Sequence, residues 1–198
     1  MNKKKILKYW NIRAKKKSLK CTNDKFLEDS EIKYITSIIQ KGSSVLDIGC
    51  GDGNLLRNLK KKLNIRGVGI DFSKELINSA KKRSRNIKFY CIDMIDISSL
   101  NKSLKNKFDY IITKRSIQNL TSWSDQKKFI NQLSPFCKKK TSILFFESSS
   151  TALFKINNLR ISLGLKKIVK PWHNLYLDDN RVIGSKFKNI KLVNIHEL

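Results

Sequence analysis

Three carboxylates recur at regular intervals behind short apolar runs: Asp47 in Val45-Leu46-Asp47-Ile48, Asp71 after Gly67-Val68-Gly69-Ile70, and Asp93 after Ile87-Lys88-Phe89-Tyr90-Cys91-Ile92. Asp71 lies 22 positions after Gly49, and Asp93 lies 22 after Asp71. Between the first two acids, Gly49-Cys50-Gly51-Asp52-Gly53 opens directly into the helical pattern Leu55, Leu56, Leu59, Leu63. Glycine permits positive φ and removes the Cβ, so this turn can pass close to a ligand lying across the end of a strand. An acid at the tip of the next strand is placed to accept hydrogen bonds from ribose hydroxyls. The chemistry is that of a nucleoside site. A dinucleotide turn would need a third glycine where Asn54 stands, and Asp47 would repel a pyrophosphate while suiting a cationic ligand.

These residues resemble the class I S-adenosylmethionine-dependent methyltransferases, whose first motif is matched by Asp47-Ile48-Gly49-Cys50-Gly51-Asp52-Gly53. The resemblance implies an α/β fold: a Rossmann-like three-layer αβα sandwich on a mostly parallel sheet of order 3-2-1-4-5-(7)-6. It also implies S-adenosyl-L-methionine as cofactor. Asp47, Gly49, Cys50, Gly51 and Gly53 would face its centre, Asp71 its ribose and Asp93 with Met94 its adenine. Phe72, directly after the ribose acid, could lie against the base or simply join the core.

The elements that must position these groups follow in order. The first twenty residues hold nine basic and no acidic side chains. Within them only Tyr9-Trp10-Asn11-Ile12-Arg13 has chemical character, and the resemblance implies a helix folding over the cofactor with Arg13 at the methionine carboxylate. Asp29 or Ser30 can cap a helix to about Gln40, with Ile32, Ile35, Ile38 and Ile39 on one face. Phe108 to Thr113 reads as a fourth strand, followed by Lys114, Arg115, Gln118 and Asn119, which should flank cofactor and substrate at the carboxyl ends of the strands. An Asp/Asn-Pro-Pro-Tyr sequence, present there in nucleic-acid base N-methyltransferases of this resemblance, is absent. Ser122 caps a helix with Phe129, Ile130, Leu133 and Phe136 inward, Cys137 to Lys140 makes a turn, and Ser142 to Glu147 reads as a buried fifth strand.

Beyond Glu147, Ala152, Ile156, Leu159 and Leu163 form a helical stripe, and Asn157 and Arg160, three apart, share a neighbouring face. The loop Pro171-Trp172-His173-Asn174-Leu175-Tyr176 then supplies polar and aromatic groups where related enzymes elaborate substrate recognition. His173 is the general-base candidate, because an unperturbed imidazole is mostly neutral at pH 7. Glu147, Asn157, Arg160, Trp172, His173, Asn174 and Tyr176, with Arg115, Gln118 and Asn119, form the expected acceptor side. A short helix from Asp179 to about Phe187 and a sixth strand from Ile190 to His196 would close the chain, leaving no sequence for the seventh strand.

At 198 residues and 40% hydrophobic content, one domain is expected. It divides into an N-terminal arm (1–28), a cofactor-binding core (29–147) and a substrate-side segment (148–198). No run reaches the ~20 apolar residues of a membrane span, and the four cysteines show no metal-ligand spacing, so no metal is expected and a cytoplasmic protein with reduced thiols is. The formal net charge of +26 would alone argue for a polyanion such as RNA or an acidic membrane surface. Yet the lysines are spread along the whole chain, without interleaved aromatics. The leading expectation is in-line methyl transfer to a small-molecule acceptor, such as a sugar or cell-surface precursor. The alternatives are an RNA methyltransferase and a protein that binds the cofactor without catalysis.

Overall fold

A computed structural model describes residues 3–15, 24–103 and 107–183. Runs of β-branched and aromatic residues form five strands: β1 (Ser44–Ile48), β2 (Arg66–Asp71), β3 (Lys88–Cys91), β4 (Phe108–Lys114) and β5 (Cys137–Phe146). All neighbours pair in parallel, in the order β3-β2-β1-β4-β5. Every residue of β1 is buried, as expected of a central parallel strand covered on both faces. Alternation then divides the core. Val45, Phe89 and Ile112 face a layer of Ile35, Leu56 and Ile77, while Leu46, Ile70 and Ile111 face Ile97, Phe129 and Leu133.

The helices between and around the strands are α1 (Lys3–Lys15), α2 (Lys25–Ile38), α3 (Asn54–Leu63), α4 (Lys74–Arg83), α5 (Ser98–Ser103), α6 (Trp123–Asn131), α7 (Ser150–Ser162) and α8 (Asp179–Ile183). The result is the three-layer αβα arrangement. Strand order reverses between β1 and β4, which opens a crevice outside their carboxyl ends, where α/β sheets bind ligands.

Three expectations about elements need correction. Helix α2 begins a turn earlier than the apolar stripe indicates, because Asp24 accepts the Leu27 N–H at 2.9 Å and caps it there. Strand β5 begins at Cys137 and runs through the lysines read as a turn. Lys138 Nζ reaches Asp109 Oδ1 at 2.6 Å, and that bond with those from Ser44 holds the Asp109 carboxyl well below the usual range. Nor is β5 a buried strand: of its ten residues only Phe146 is buried. The remainder of the helix expected from Asp179, the expected sixth strand, His196 and Cys21 lie outside the described residues.

Candidate active site

The glycine turn after β1 is shaped as much by its neighbours as for a ligand. Gly49 has φ 76°, and the N–H groups of Gly49 and Cys50 both donate to Ile70 O, at 2.8 and 2.9 Å. A Cβ on Gly49 would stand 2.2 Å from Ser116 Cβ, whose Oγ donates to Ile48 O at 2.8 Å. The loop after β4 is thereby clamped onto the end of β1. Gly53, at φ 75°, precedes α3, and a Cβ there would meet the Phe89 ring at 2.7 Å. Gly49 and Gly51 line the cavity at this end of the sheet, whereas Gly53 and Cys50 do not. Cys50 instead turns into the core on the α2–α3 side.

Asp71 is buried, and its two oxygens accept N–H groups from Gly51 at 3.0 Å and Ser73 at 2.8 Å. Burial pushes its carboxyl up to about 6, against the pull of those two bonds. Asp47 is more enclosed still and is pushed to about 7 by burial, with Lys114 acting the other way. Its Oδ1 has no hydrogen-bond partner among the described residues. Asp47 does not line the cavity; Asp71 and Asp93 do. Asp93 caps the turn at Met94, accepting from Ile95 N at 3.0 Å, and its other oxygen lies 2.6 Å from Lys3 Nζ.

That cavity has a volume of about 480 Å³. Phe72, Leu76, Ile92, Met94 and Ile95 give it an apolar wall beside Asp93. Helix α1 forms its cover: Ile6 is buried beneath it, Trp10 Nε1 donates to Asn119 Oδ1 at 3.1 Å, and Asn11 Oδ1 accepts from Ser73 Oγ at 2.5 Å. Tyr9, Trp10 and Arg13 project from α1 into the lining. The Arg13 guanidinium donates to Tyr9 Oη at 3.1 Å and lies over the rings of Tyr9 and Trp10.

Lys114 and Arg115 also line the cavity, and both are held from behind by α2. Glu31 lies 3.3 Å from Lys114 Nζ and 3.0 Å from the Arg115 guanidinium, with Glu28 3.9 Å from Lys114. Arg115 has φ 54°, a left-handed conformation that costs a non-glycine residue about 1–2 kcal/mol. Its N–H donates to Phe146 O at 2.8 Å, which ties that conformation to β5.

On the acceptor side, Gln118, Asn119, His173 and Asn174 reach the cavity, joined by Pro171. His173 is 6% exposed, packed on Tyr9 with ring centroids 4.5 Å apart. Burial, with the nearby Arg13 charge second, lowers its pKa, so the imidazole is neutral at pH 7. His173 Nδ1, Gln118 Oε1 and Asn174 Oδ1 are buried without hydrogen-bond partners among the described residues.

Five residues expected on this side stand elsewhere. Glu147 is spent on backbone: it accepts N–H groups from Ser116, Ile117 and Gln118 at 3.0, 3.1 and 3.4 Å, and so builds the turn that carries the lining residues. Asn157 exchanges two hydrogen bonds with the backbone of Ile168, and Arg160 Nε donates to Lys166 O at 2.7 Å. These two brace the turn after α7. Trp172 packs edge-on against Tyr9 and His173 from outside the cavity, and Tyr176 does not line it either. Conversely, Lys3, Glu31, Ser116 and Gln126 were not among the residues expected at the site. Gln126 donates to both Leu120 O and Leu175 O, stapling the loop of His173 to the loop after β4. Its signal, an amide on the buried helix face otherwise occupied by Phe129 and Ile130, is visible only once α6 has been placed.

The sequence profile of the family described as "Methyltransferase domain" matches residues 39–176. With 31% identity over 142 residues, the "Ubiquinone biosynthesis O-methyltransferase" of Coxiella burnetii covers 69% of this chain and 55% of its own. This chain therefore spans just over half the length of that curated relative. Among solved structures, the N-methyltransferase NodS from Bradyrhizobium japonicum, in complex with S-adenosyl-L-homocysteine, superposes with a TM-score of 0.63 at 15% identity over 76% of each chain. The plantazolicin methyltransferase BpumL does so at 0.55 and 22% identity, over 86% of this chain and 58% of that one. The two structural likenesses are of fold. The chain belongs to the class I S-adenosylmethionine-dependent methyltransferase family.

Proposed function

We propose that this chain is an S-adenosylmethionine-dependent methyltransferase acting on a small hydroxyl-bearing acceptor. The observation that carries the reading is the pairing of Asp71 and Asp93, from neighbouring strand ends, with the apolar wall of one cavity closed over by α1. Each Asp71 oxygen accepts one backbone N–H and keeps a lone pair for a ribose hydroxyl. Phe72, Leu76 and Ile92 suit an adenine face, Asp93 its exocyclic amine, and Arg13 an amino-acid carboxylate. When bound, the cofactor supplies a methyl group made electrophilic by its sulfonium.

The chain's own contribution is positioning, exclusion of water and removal of one proton. Tyr9 and Trp10 close the cavity against solvent. His173, kept neutral by burial, can accept a hydroxyl proton at Nδ1. Gln118 Oε1 and Asn174 Oδ1 offer unfilled acceptor sites for further hydroxyls. The name of the Coxiella burnetii relative, an O-methyltransferase, supports an oxygen nucleophile.

Transfer of labelled methyl from S-adenosylmethionine to a panel of phenols, sugars, amines and RNA tests the proposal. Label in hydroxylated small molecules, with kcat reduced about 100-fold by His173→Ala, is the expected result. Label only in RNA, or in no member of the panel, would overturn it.

A further inference from the structure

Helix α7 has no buried residue along its whole length. A helix on a soluble protein ordinarily hides one apolar stripe, but here Phe154, Leu159 and Ile161 are open to solvent. Exposure continues through the following turn, where Leu163 is 64% and Val169 83% exposed, alongside Leu165 and Ile168. Leu159 and Leu163 share one side of the helix, and the Asn157–Ile168 and Arg160–Lys166 hydrogen bonds fold the turn carrying Leu165, Ile168 and Val169 back along it, so that exposed apolar side chains gather where something can cover them.

Its electrostatics identify the cover. Residues 148–177 contain no acidic residue and five basic ones: Lys155, Arg160, Lys166, Lys167 and Lys170. The four lysines are exposed, and none is paired with a carboxylate among the described residues. Apart from Phe154 the exposed apolar side chains of residues 150–170 are aliphatic and cannot stack on bases, so the surface fits nucleic acid poorly. A second copy would bring another +26 against the same lysines. Exposed aliphatic side chains interspersed with Lys166, Lys167 and Lys170 match the boundary between anionic lipid headgroups and acyl chains.

We propose that α7 and the turn after it, residues 150–170, dock on an anionic lipid bilayer surface. Docking is peripheral, since no helix among the described residues is long and apolar enough to cross a membrane. The segment runs directly into Pro171 and His173, which line the cavity, so docking sets the acceptor side against the membrane. One corollary, that the acceptor is amphipathic and drawn from the bilayer, rests on the methyl-transfer reading; the docking itself does not.

The test is flotation of the full chain with phosphatidylcholine vesicles and with vesicles that also contain phosphatidylglycerol. Binding to the phosphatidylglycerol vesicles alone, weakened by salt, is expected. Lys166→Glu/Lys167→Glu/Lys170→Glu lowers the partition coefficient at least about 100-fold, from about a factor of five for each lysine. Leu163→Glu/Val169→Glu abolishes binding, and both variants keep parental affinity for S-adenosylhomocysteine in solution. Absence of vesicle binding would overturn the proposal. So would a concentration-dependent dimer that Leu163→Glu/Val169→Glu dissociates while vesicles are ignored, or RNA binding that survives those two substitutions in place of vesicle binding. Vesicle binding by a protein that takes up no S-adenosylhomocysteine would leave docking intact and remove the methyl-transfer reading instead.

Discussion

Lys3 Nζ lies 2.6 Å from Asp93 Oδ2, so the first turn of α1 closes on the carboxylate at the end of β3. The contact raises the Lys3 pKa, its hydrogen bond to Asp93 being the main cause. It also occupies an oxygen assigned above to the adenine amine. Lys3 is mostly exposed, and such a pair is worth roughly 0–1 kcal/mol. Lys3→Ala should tighten S-adenosylhomocysteine binding by up to about five-fold at low salt, with the gain vanishing at high salt. Calorimetric titration at two ionic strengths measures this. A large loss of affinity would show that Lys3 secures the cover and does not compete with the ligand.

The two buried acids make stability depend on pH with a defined sign. In the folded chain Asp47 and Asp71 ionise at about 7 and about 6, against 3.8 for a free side chain. Between these values the folded state holds protons that the unfolded chain has released. Stability from these groups is therefore greatest in acid and declines as pH rises through that window. Asp47→Asn removes the larger part: the variant should be more stable than the parent by about 1–3 kcal/mol near pH 8. The difference should close towards about pH 4. Denaturant melts across this range would check it, and a gap independent of pH would contradict the assignment of burial as its cause.

Glu147→Gln tests the turn that carries the acceptor side. One carboxylate oxygen serves Ser116 and Ile117, and the other faces the Gln118 N–H. An amide can keep the first set only by turning its NH₂ towards the last donor. We expect a loss of about 1–3 kcal/mol in stability. Activity should fall with it, while affinity for S-adenosylhomocysteine changes little. Parental stability would mean that the turn is held without Glu147.

At Arg115, backbone and side chain can be separated. The Glu31 pair is lost in any truncation, but only glycine takes φ 54° without strain. Arg115→Gly should therefore be more stable than Arg115→Ala by about 1 kcal/mol. Equal stabilities in a denaturant series would show that the left-handed conformation relaxes once the guanidinium is gone.

Much of the sheet was legible because its determinants are local. Val45-Leu46-Asp47-Ile48 and Val68-Gly69-Ile70-Asp71 are short apolar runs that each carry an acid, and the family resemblance of their motif then implied the order β3-β2-β1-β4. Asp71, Asp93, Gly49 and Gly51 came from the same patterns, and all line the cavity. The acceptor side was less legible. Asn157 and Arg160 do share a helix face, but periodicity says which residues stand together and not what they meet; they meet the backbone of 166–168. Glu147 at a strand end reads the same whether it faces a substrate or three N–H groups from another loop. Gly53 and Cys50 fit the motif, yet their neighbours Phe89 and Gly69 lie far along the chain.

Calorimetric titration of S-adenosylhomocysteine into the full folded chain, beside Asp71→Ala, tests the acid-tipped cavity most directly. The cavity predicts saturable one-to-one heat with the parent and affinity weakened at least about ten-fold in the variant, whose lost ribose contacts are charge-assisted. No saturable heat from folded parent protein, or equal affinity in Asp71→Ala, would contradict it.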